Sequence, residues 1–261
     1  MLRPRIIPCL LVHKGGLVKT QGFKDPKYVG DPINAVRIFN EKEADEVMVL
    51  DIDATVNKVA PDFALIAKLA AECRMPLCYG GGVTTVEQAA RIVEMGVERV
   101  GVSAAAIANP ALLTQMADAV GRQSVVAVID VRKRFGLFAK GYEVCTQNGK
   151  ISHKVDPVAL AQQLQDAGAG EIVVNSIDRD GYMQGYDLEM AAQFKQALKV
   201  PVTFLGGAGS RDHLVDLLSK LGVVGAAAGS LFVFKGKYRA VLINYPTPEQ
   251  KKQLCHSALQ R

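Results

Sequence analysis

Hydrophobic and polar positions along the chain follow two alternating rhythms. Short runs rich in Val, Ile and Leu recur at eight places: RIIPCLL, VMVLDI, PLCYGG, VGVS, VVAVID, EIVVNSI, PVTFLGG and VVGAAAG. Each has the length and apolar content of a buried strand. Between them lie stretches with apolar residues at helical spacing, at 32–43, 61–73, 86–95, 110–120, 157–167, 187–198 and 211–221, several with Pro near the first turn. Strand then helix, repeated eight times, predicts a closed parallel (β/α)8 barrel; a doubly wound open sheet is the competing arrangement.

An internal repeat favours the barrel. EADEVMVLDIDA at 43–54 answers GAGEIVVNSIDR at 168–179, which sets Glu46 against Glu171 and Asp53 against Asp178. PLCYGGGVTTVEQAARIVEMG at 76–96 answers PVTFLGGAGSRDHLVDLLSKLG at 201–222. The offset is close to half the chain, so two similar four-unit halves make one barrel. No Ser-, Pro- or Gly-rich linker divides them, and residues 1–261 read as one domain. The longest segment outside these elements, 131–154, contains FGLFAKGYEVCTQNGK, which predicts a small hairpin at the C-terminal mouth of the strands, where sites are built.

Composition narrows the function classes. The 49% hydrophobic content with no Trp suits an aliphatic interior of parallel strands. A net charge of +5, with cations and acids interspersed, leaves no basic block for nucleic acid or a membrane surface. Five cysteines without a C-x-x-C pair argue against a disulfide framework or a zinc site, and predict a reducing, cytoplasmic setting. No segment approaches the apolar length of a membrane span, and the first residues are too short an apolar run for a signal peptide.

Glycines carry the first chemical signal. GGG at 80–82 is followed by GVSA at 101–104, and GGAG at 206–209 by AGS at 228–230. Glycine lets backbone N–H groups approach an anion, and a helix starting there adds its positive end. One reading is two phosphate grips on opposite sides of the mouth, fitting a ligand phosphorylated at both ends; the other is tight strand-to-loop turns.

Taken in order and spacing, RIIPCL, GDPI, LDIDA, YGGGV, VVAVID, GAGEI, SIDRDGYMQGYD, FLGGAG and AAAGSLF make the chain resemble the cyclase subunit of imidazole glycerol phosphate synthase over about residues 3–240. The resemblance implies a (β/α)8 barrel partnered with a glutaminase subunit, whose ammonia crosses the barrel core to a bis-phosphate substrate, with no metal or cofactor. Lys19, Asp51, Gly81, Gly82, Asp180, Gly207 and Ser230 match the family pattern, and Ser103, Gly181 and Gly229 complete the implied phosphate and substrate site. A ring of charges gating ammonia at the opposite end maps onto Arg5, Glu46, Arg99 and Glu171, with Arg99 where the family usually has Lys. Ordinary surface pairing is the plainer account of those four.

The departures are as informative. In the family, two aspartates on the first and fifth strands act as acid and base in ring closure; the second maps onto Asp130, and the first onto Leu11. Leu can neither give nor take a proton, and general acid–base catalysis contributes roughly 10²- to 10⁴-fold. Ser103 and Ala104 replace a usual Asn-Thr, while Asn175 and Asp53 each replace a usual Thr. Leu11, together with the sequence of residues 18–46, is similar to a divergent branch associated with sugar-modifying amidotransferases, in which the barrel helps deliver nitrogen for an acetamidino group on a surface-polysaccharide sugar.

Three functions follow. The first is an ammonia-accepting subunit of such a complex that no longer closes an imidazole ring. The second is an authentic cyclase of histidine biosynthesis, with Asp130 and a substitute acid, Asp51 or Asp53. The third is a non-catalytic activator of a glutaminase. His13 and His153 are weaker catalytic candidates, Cys9 and Cys78 read as packing residues, and Asp178 to Asp180 lack a third ligand for a metal.

Overall fold

The computed structural model describes residues 3–136 and 140–259. Eight strands form the barrel wall: β1 (Arg5–His13), β2 (Val47–Asp51), β3 (Leu77–Gly80), β4 (Arg99–Val102), β5 (Val125–Lys133), β6 (Glu171–Ser176), β7 (Val202–Leu205) and β8 (Gly225–Ala228). Each pairs in parallel with the next, and β8 returns to β1 through Arg5 opposite Gly225 and Ile7 opposite Ala227. The ring is closed, so the open-sheet alternative is excluded.

Outside it lie α1 (Pro32–Glu41), α2 (Phe63–Glu72), α3 (Val86–Glu94), α4 (Ala111–Val120), α5 (Pro157–Asp166), α6 (Leu188–Ala197), α7 (Arg211–Leu221) and α8 (Pro248–Leu259). Four of them begin the same way. The carboxylates of Asp31, Asp62, Asp156 and Asp187 accept the N–H of the residue three positions on, at 2.8, 3.0, 2.8 and 3.1 Å. Each such cap stabilises by about 1 kcal/mol over Ala and fixes where loop becomes helix.

Period-two alternation divides the strand side chains into two cores. Ile6, Leu10 and Val12 of β1 pack outward in the large cluster beneath the helices. Ile7 and Cys9 point inward, to a smaller cluster with Met48, Cys78, Val126, Val128, Val173, Leu205 and Ala227, against which Leu11 and Leu50 pack. The bore is therefore lined by hydrocarbon and thiol from just above its base almost to its mouth.

Two antiparallel additions crown the C-terminal ends. Strand Gly16–Gln21 folds back on the end of β1, with Val18 opposite Leu11, and pairs outward with Lys24–Gly30. Tyr142–Thr146 folds back on the end of β5, with Cys145 opposite Asp130, and continues into Ile151–His153. The second was expected as a hairpin, and 137–139 of that segment lie outside the described residues. The first carries no strand signal in the sequence, because its outer strand is largely exposed and lacks hydrophobic alternation.

The two halves repeat their contacts as well as their sequence. Asp53, after β2, accepts Lys14 N at 2.8 Å beyond β1, and Asp178, after β6, accepts Lys133 N at 2.7 Å at the end of β5. At the other end, Tyr245 donates its hydroxyl to Ile6 O at 2.7 Å and accepts Asp45 N at 3.1 Å, tying the segment before α8 to the base of β1. No helix of the described residues is long and apolar enough to cross a membrane.

Candidate functional site

A cavity of about 640 Å³ opens at the C-terminal ends of the strands. Leu11 and Asp130 both line it, as do Lys19, Asp51, Ser103 and Asp180. Gly81, Gly82, Gly181, Gly207, Gly229 and Ser230 form its tightly turned rim. The structure thus brings the implied phosphate and substrate residues together around one cavity. It adds Gln147 and Asn148, from the turn beyond Tyr142–Thr146, with Asn148 Nδ2 donating to Ile52 O at 2.9 Å. Asn148-Gly149 is a dipeptide suited to a tight hairpin turn, and the hairpin was expected at the mouth, but neither Gln147 nor Asn148 was singled out as lining it.

The glycines have a steric reason apart from any ligand. At Gly81 the backbone has φ +126°, and a Cβ would lie 2.5 Å from Asp51 O; at Gly207, with φ +105°, it would collide with Gly185 O. The turn reading therefore holds at these positions, and it does not exclude anion binding beside them. Two short helices, Ala104–Ala108 and Ser230–Val233, start at the rim, where first-turn N–H groups lack intrahelical partners.

The carboxyls of the mouth differ in their surroundings. Asp130 reaches solvent only in part and lines the cavity; desolvation by the barrel wall pushes it up to about 7, the hydrogen bond from Asn175 Nδ2 at 3.1 Å opposes this, and the nearby charge of Asp180 adds to it. Asp180 is likewise raised by burial, against the pull of Thr20 Oγ1 at 2.6 Å, Phe23 N at 3.3 Å and the Lys19 cation. Asp51 is raised by burial despite accepting Asp53 N at 2.8 Å and Ala54 N at 3.1 Å. Lys19 is buried, which lowers its pKa, and donates to Cys9 O at 2.7 Å.

One sequence candidate is corrected. Asp53, offered as a substitute acid, is absent from the cavity lining: it binds His13 Nδ1 at 2.7 Å and Lys14 N, holding the end of β1. His13 is its structural partner. His153 meets Thr146 Oγ1 at 2.9 Å inside the crown. Among the described residues, no three His, Cys, Asp or Glu side chains are placed to hold a metal ion.

At the base of the bore the four predicted charges meet in a closed ring. Arg5 gives Nη1 to Glu46 at 2.6 Å and Nη2 to Glu171 at 2.7 Å. Arg99 reaches both carboxylates with Nη1 alone, at 3.1 Å to each oxygen of Glu46 and 2.7 Å to Glu171. Thr203 Oγ1 also donates to Glu171. The Glu46 and Glu171 side chains are only 2% and 5% exposed, against 22% and 27% for Arg5 and Arg99. Burial raises the Glu46 pKa, opposed by both cations; burial pulls Arg5 down, but its two acids outweigh this and raise it. This is a buried, mutually neutralised ring, beyond ordinary surface pairing.

Fold and site together define a (β/α)8 barrel protein with its main cavity on the face where such barrels carry their sites. Known proteins narrow the class. Residues 5–239 match the family described as "Histidine biosynthesis protein". The chain is 56% identical over 253 residues to a Vibrio vulnificus protein provisionally named imidazole glycerol phosphate synthase subunit hisF3, covering 97% of this chain and 96% of that one. A Leptospira interrogans protein, provisionally named as subunit HisF of the same synthase, is 56% identical over 254 residues, covering 97% and 99%. The imidazole glycerol phosphate synthase subunit HisF of Clavibacter michiganensis is 38% identical over 231 residues, covering 88% and 87%. The chain belongs to the HisF-type family of imidazole glycerol phosphate synthase subunits.

Proposed function

We propose that this HisF-type chain is the nitrogen-accepting barrel of a glutamine-dependent amidotransferase complex, paired with a HisH-like glutaminase. On this reading it serves acetamidino modification of a surface-polysaccharide sugar, with a sugar-modifying amidotransferase as third component, and does not close an imidazole ring. The observation that carries it is Leu11: a hydrocarbon lines the cavity where the family's cyclisation needs a second proton-transferring group. Around it, the charged ring and the cavity rim are retained.

The route for nitrogen follows from the bore. A cation leaving water for hydrocarbon is heavily penalised, whereas neutral ammonia needs only hydrogen-bonding partners at each end. Between ring and mouth the inward side chains are aliphatic, Met or thiol, and burial raises the thiols of Cys9 and Cys78, keeping them uncharged. The ring at the base is where a glutaminase would dock and where Arg5, Glu46, Arg99 and Glu171 would part to admit ammonia. At the mouth, Lys19, Ser103, Ser230 and the rim glycines would hold a bis-phosphate or other phosphorylated small molecule, with Asp51 and Asp180 orienting it.

One observation favours the second reading, an authentic cyclase: Asp130 is still present, with a pKa near neutrality suited to proton transfer. Asp51 is then the remaining candidate for the substitute acid. Co-expression with candidate glutaminases tests the partnership, since glutamine hydrolysis should rise when this chain is added. Unchanged hydrolysis with every candidate contradicts it. Growth of a histidine-cyclase-deficient strain on minimal medium would select the second reading over the first.

A further inference from the structure

Among the described residues, three buried side-chain polar atoms have no hydrogen-bond partner: Tyr79 Oη, Asn175 Oδ1 and Ser219 Oγ. Only Asn175 also lines the mouth cavity. It is 6% exposed and follows Glu171 and Val173 on the inward face of β6, opposite Asp130 on β5 and Leu205 on β7. Its Nδ2 is committed to Asp130 Oδ1 at 3.1 Å, and its Oδ1 is left without a donor. Leaving a buried amide oxygen unpaired is costly, so a donor is expected from outside the chain. The residue lines the mouth cavity alongside Gly206, whose Cβ position would lie 3.3 Å from that oxygen and 2.6 Å from Ser176 O.

The missing donor must be small and must carry N–H or O–H. Asn175 Oδ1 and the Asp130 carboxylate are both acceptors, so a phosphate oxygen is disfavoured there. Lys19, a cation that also lines the mouth, has its Nζ held by Cys9 O at 2.7 Å. Ammonia and ammonium supply several N–H groups on one atom and fit a seat of adjacent acceptors. We infer that Asn175 is the landing seat for nitrogen at the top of the bore, its side-chain carbonyl accepting an N–H while its amide holds Asp130 alongside. This rests on the reading above, that nitrogen reaches the mouth through the barrel. When Asp130 carries a proton, its transfer to ammonia leaves a carboxylate beside ammonium, and the reverse transfer regenerates ammonia. Asn175 is thus a positioning residue for both the incoming nitrogen and Asp130.

The test uses the full-length chain, with the carboxyl and amide carbons of Asp and Asn labelled with ¹³C, titrated at neutral pH with ammonium chloride or with sodium chloride at equal ionic strength. Ammonium should move the Asn175 and Asp130 signals saturably with one midpoint, and sodium should not. Asn175→Leu should weaken the Asp130 response to ammonium about tenfold, as loss of one hydrogen bond to a charged ligand would. Identical responses to the two salts would mean that water alone fills the seat, overturning the inference; so would an undiminished Asp130 response in Asn175→Leu. The wild-type comparison stands even if that variant fails to fold. An ammonium response without activation of any glutaminase keeps the seat and removes the route, whereas activation without an ammonium response removes the seat alone.

Discussion

Replacing Asp130 by Asn removes a charge that the barrel wall solvates poorly while keeping an oxygen that Asn175 Nδ2 can bond. The folded protein holds the Asp130 proton up to about 7, against 3.8 for an unperturbed carboxyl. Between those values the folded state binds a proton that the unfolded state has released, so stability falls as pH rises through the window. At 1.36 kcal/mol per pKa unit the full cost above pH 7 is ~4 kcal/mol, a ceiling because cavity water screens part of it. Asp130→Asn should therefore be more stable than wild type, and its advantage should grow by up to ~3 kcal/mol between pH 5 and pH 8. Asp51, Asp180 and Glu46 are also raised. They titrate in both proteins, so to first order they cancel in the difference. Urea unfolding of both proteins at each pH, with equal m-values as the control, measures it. A difference independent of pH, or an Asp130 carboxyl titrating near 4 by NMR, would refute the reasoning.

Other outcomes follow from single contacts. Arg99 uses one nitrogen for both ring acids whereas Arg5 uses two, so Arg99→Lys should cost under about 1 kcal/mol and Arg5→Lys clearly more, by the same unfolding assay. Glu46→Ala leaves Arg99 and Arg5 sharing one acid and should destabilise by ~3 kcal/mol. Tyr245→Phe removes the hydroxyl joining Ile6 O to Asp45 N and should lower stability by ~1–2 kcal/mol without changing ligand binding at the mouth, measured by calorimetry with a bis-phosphate. Gly207→Ala, blocked by Gly185 O and by its φ, should fail to accumulate as soluble protein, and normal expression would contradict the close approach described.

The barrel was legible because each strand is a short apolar run bounded by glycine or a polar turn, and because the second half repeats the first. The repeat extends to a contact that the sequence did not announce: Asp53 and Asp178, aligned by sequence, each hold the chain at the end of the preceding strand. The crown beside β1 was not legible, since Lys24–Gly30 is mostly exposed and its register is set by pairing with Gly16–Gln21. Nor was α8, whose polar sequence carries little amphipathic signal and which packs on α7 at the barrel's flank. At the site, residue types pointed to the mouth and the ring, but partners decide roles. Asp53 looked like a spare acid until His13 and Lys14 were found to occupy it. Asn175 stood out in the sequence as a replacement for a usual Thr, and only the structure shows its side-chain oxygen without a partner.

The functional reading depends on Leu11 being a true loss of proton transfer at the mouth. The most direct test supplies purified chain with the ribulosyl formimino bis-phosphate of the cyclase reaction and ammonium salts, and follows imidazole glycerol phosphate. Wild type should form essentially none, and Leu11→Asp should raise the rate by roughly 10²-fold or more. Steady imidazole production by wild type, at a rate that Leu11→Asp leaves unchanged, would contradict the account.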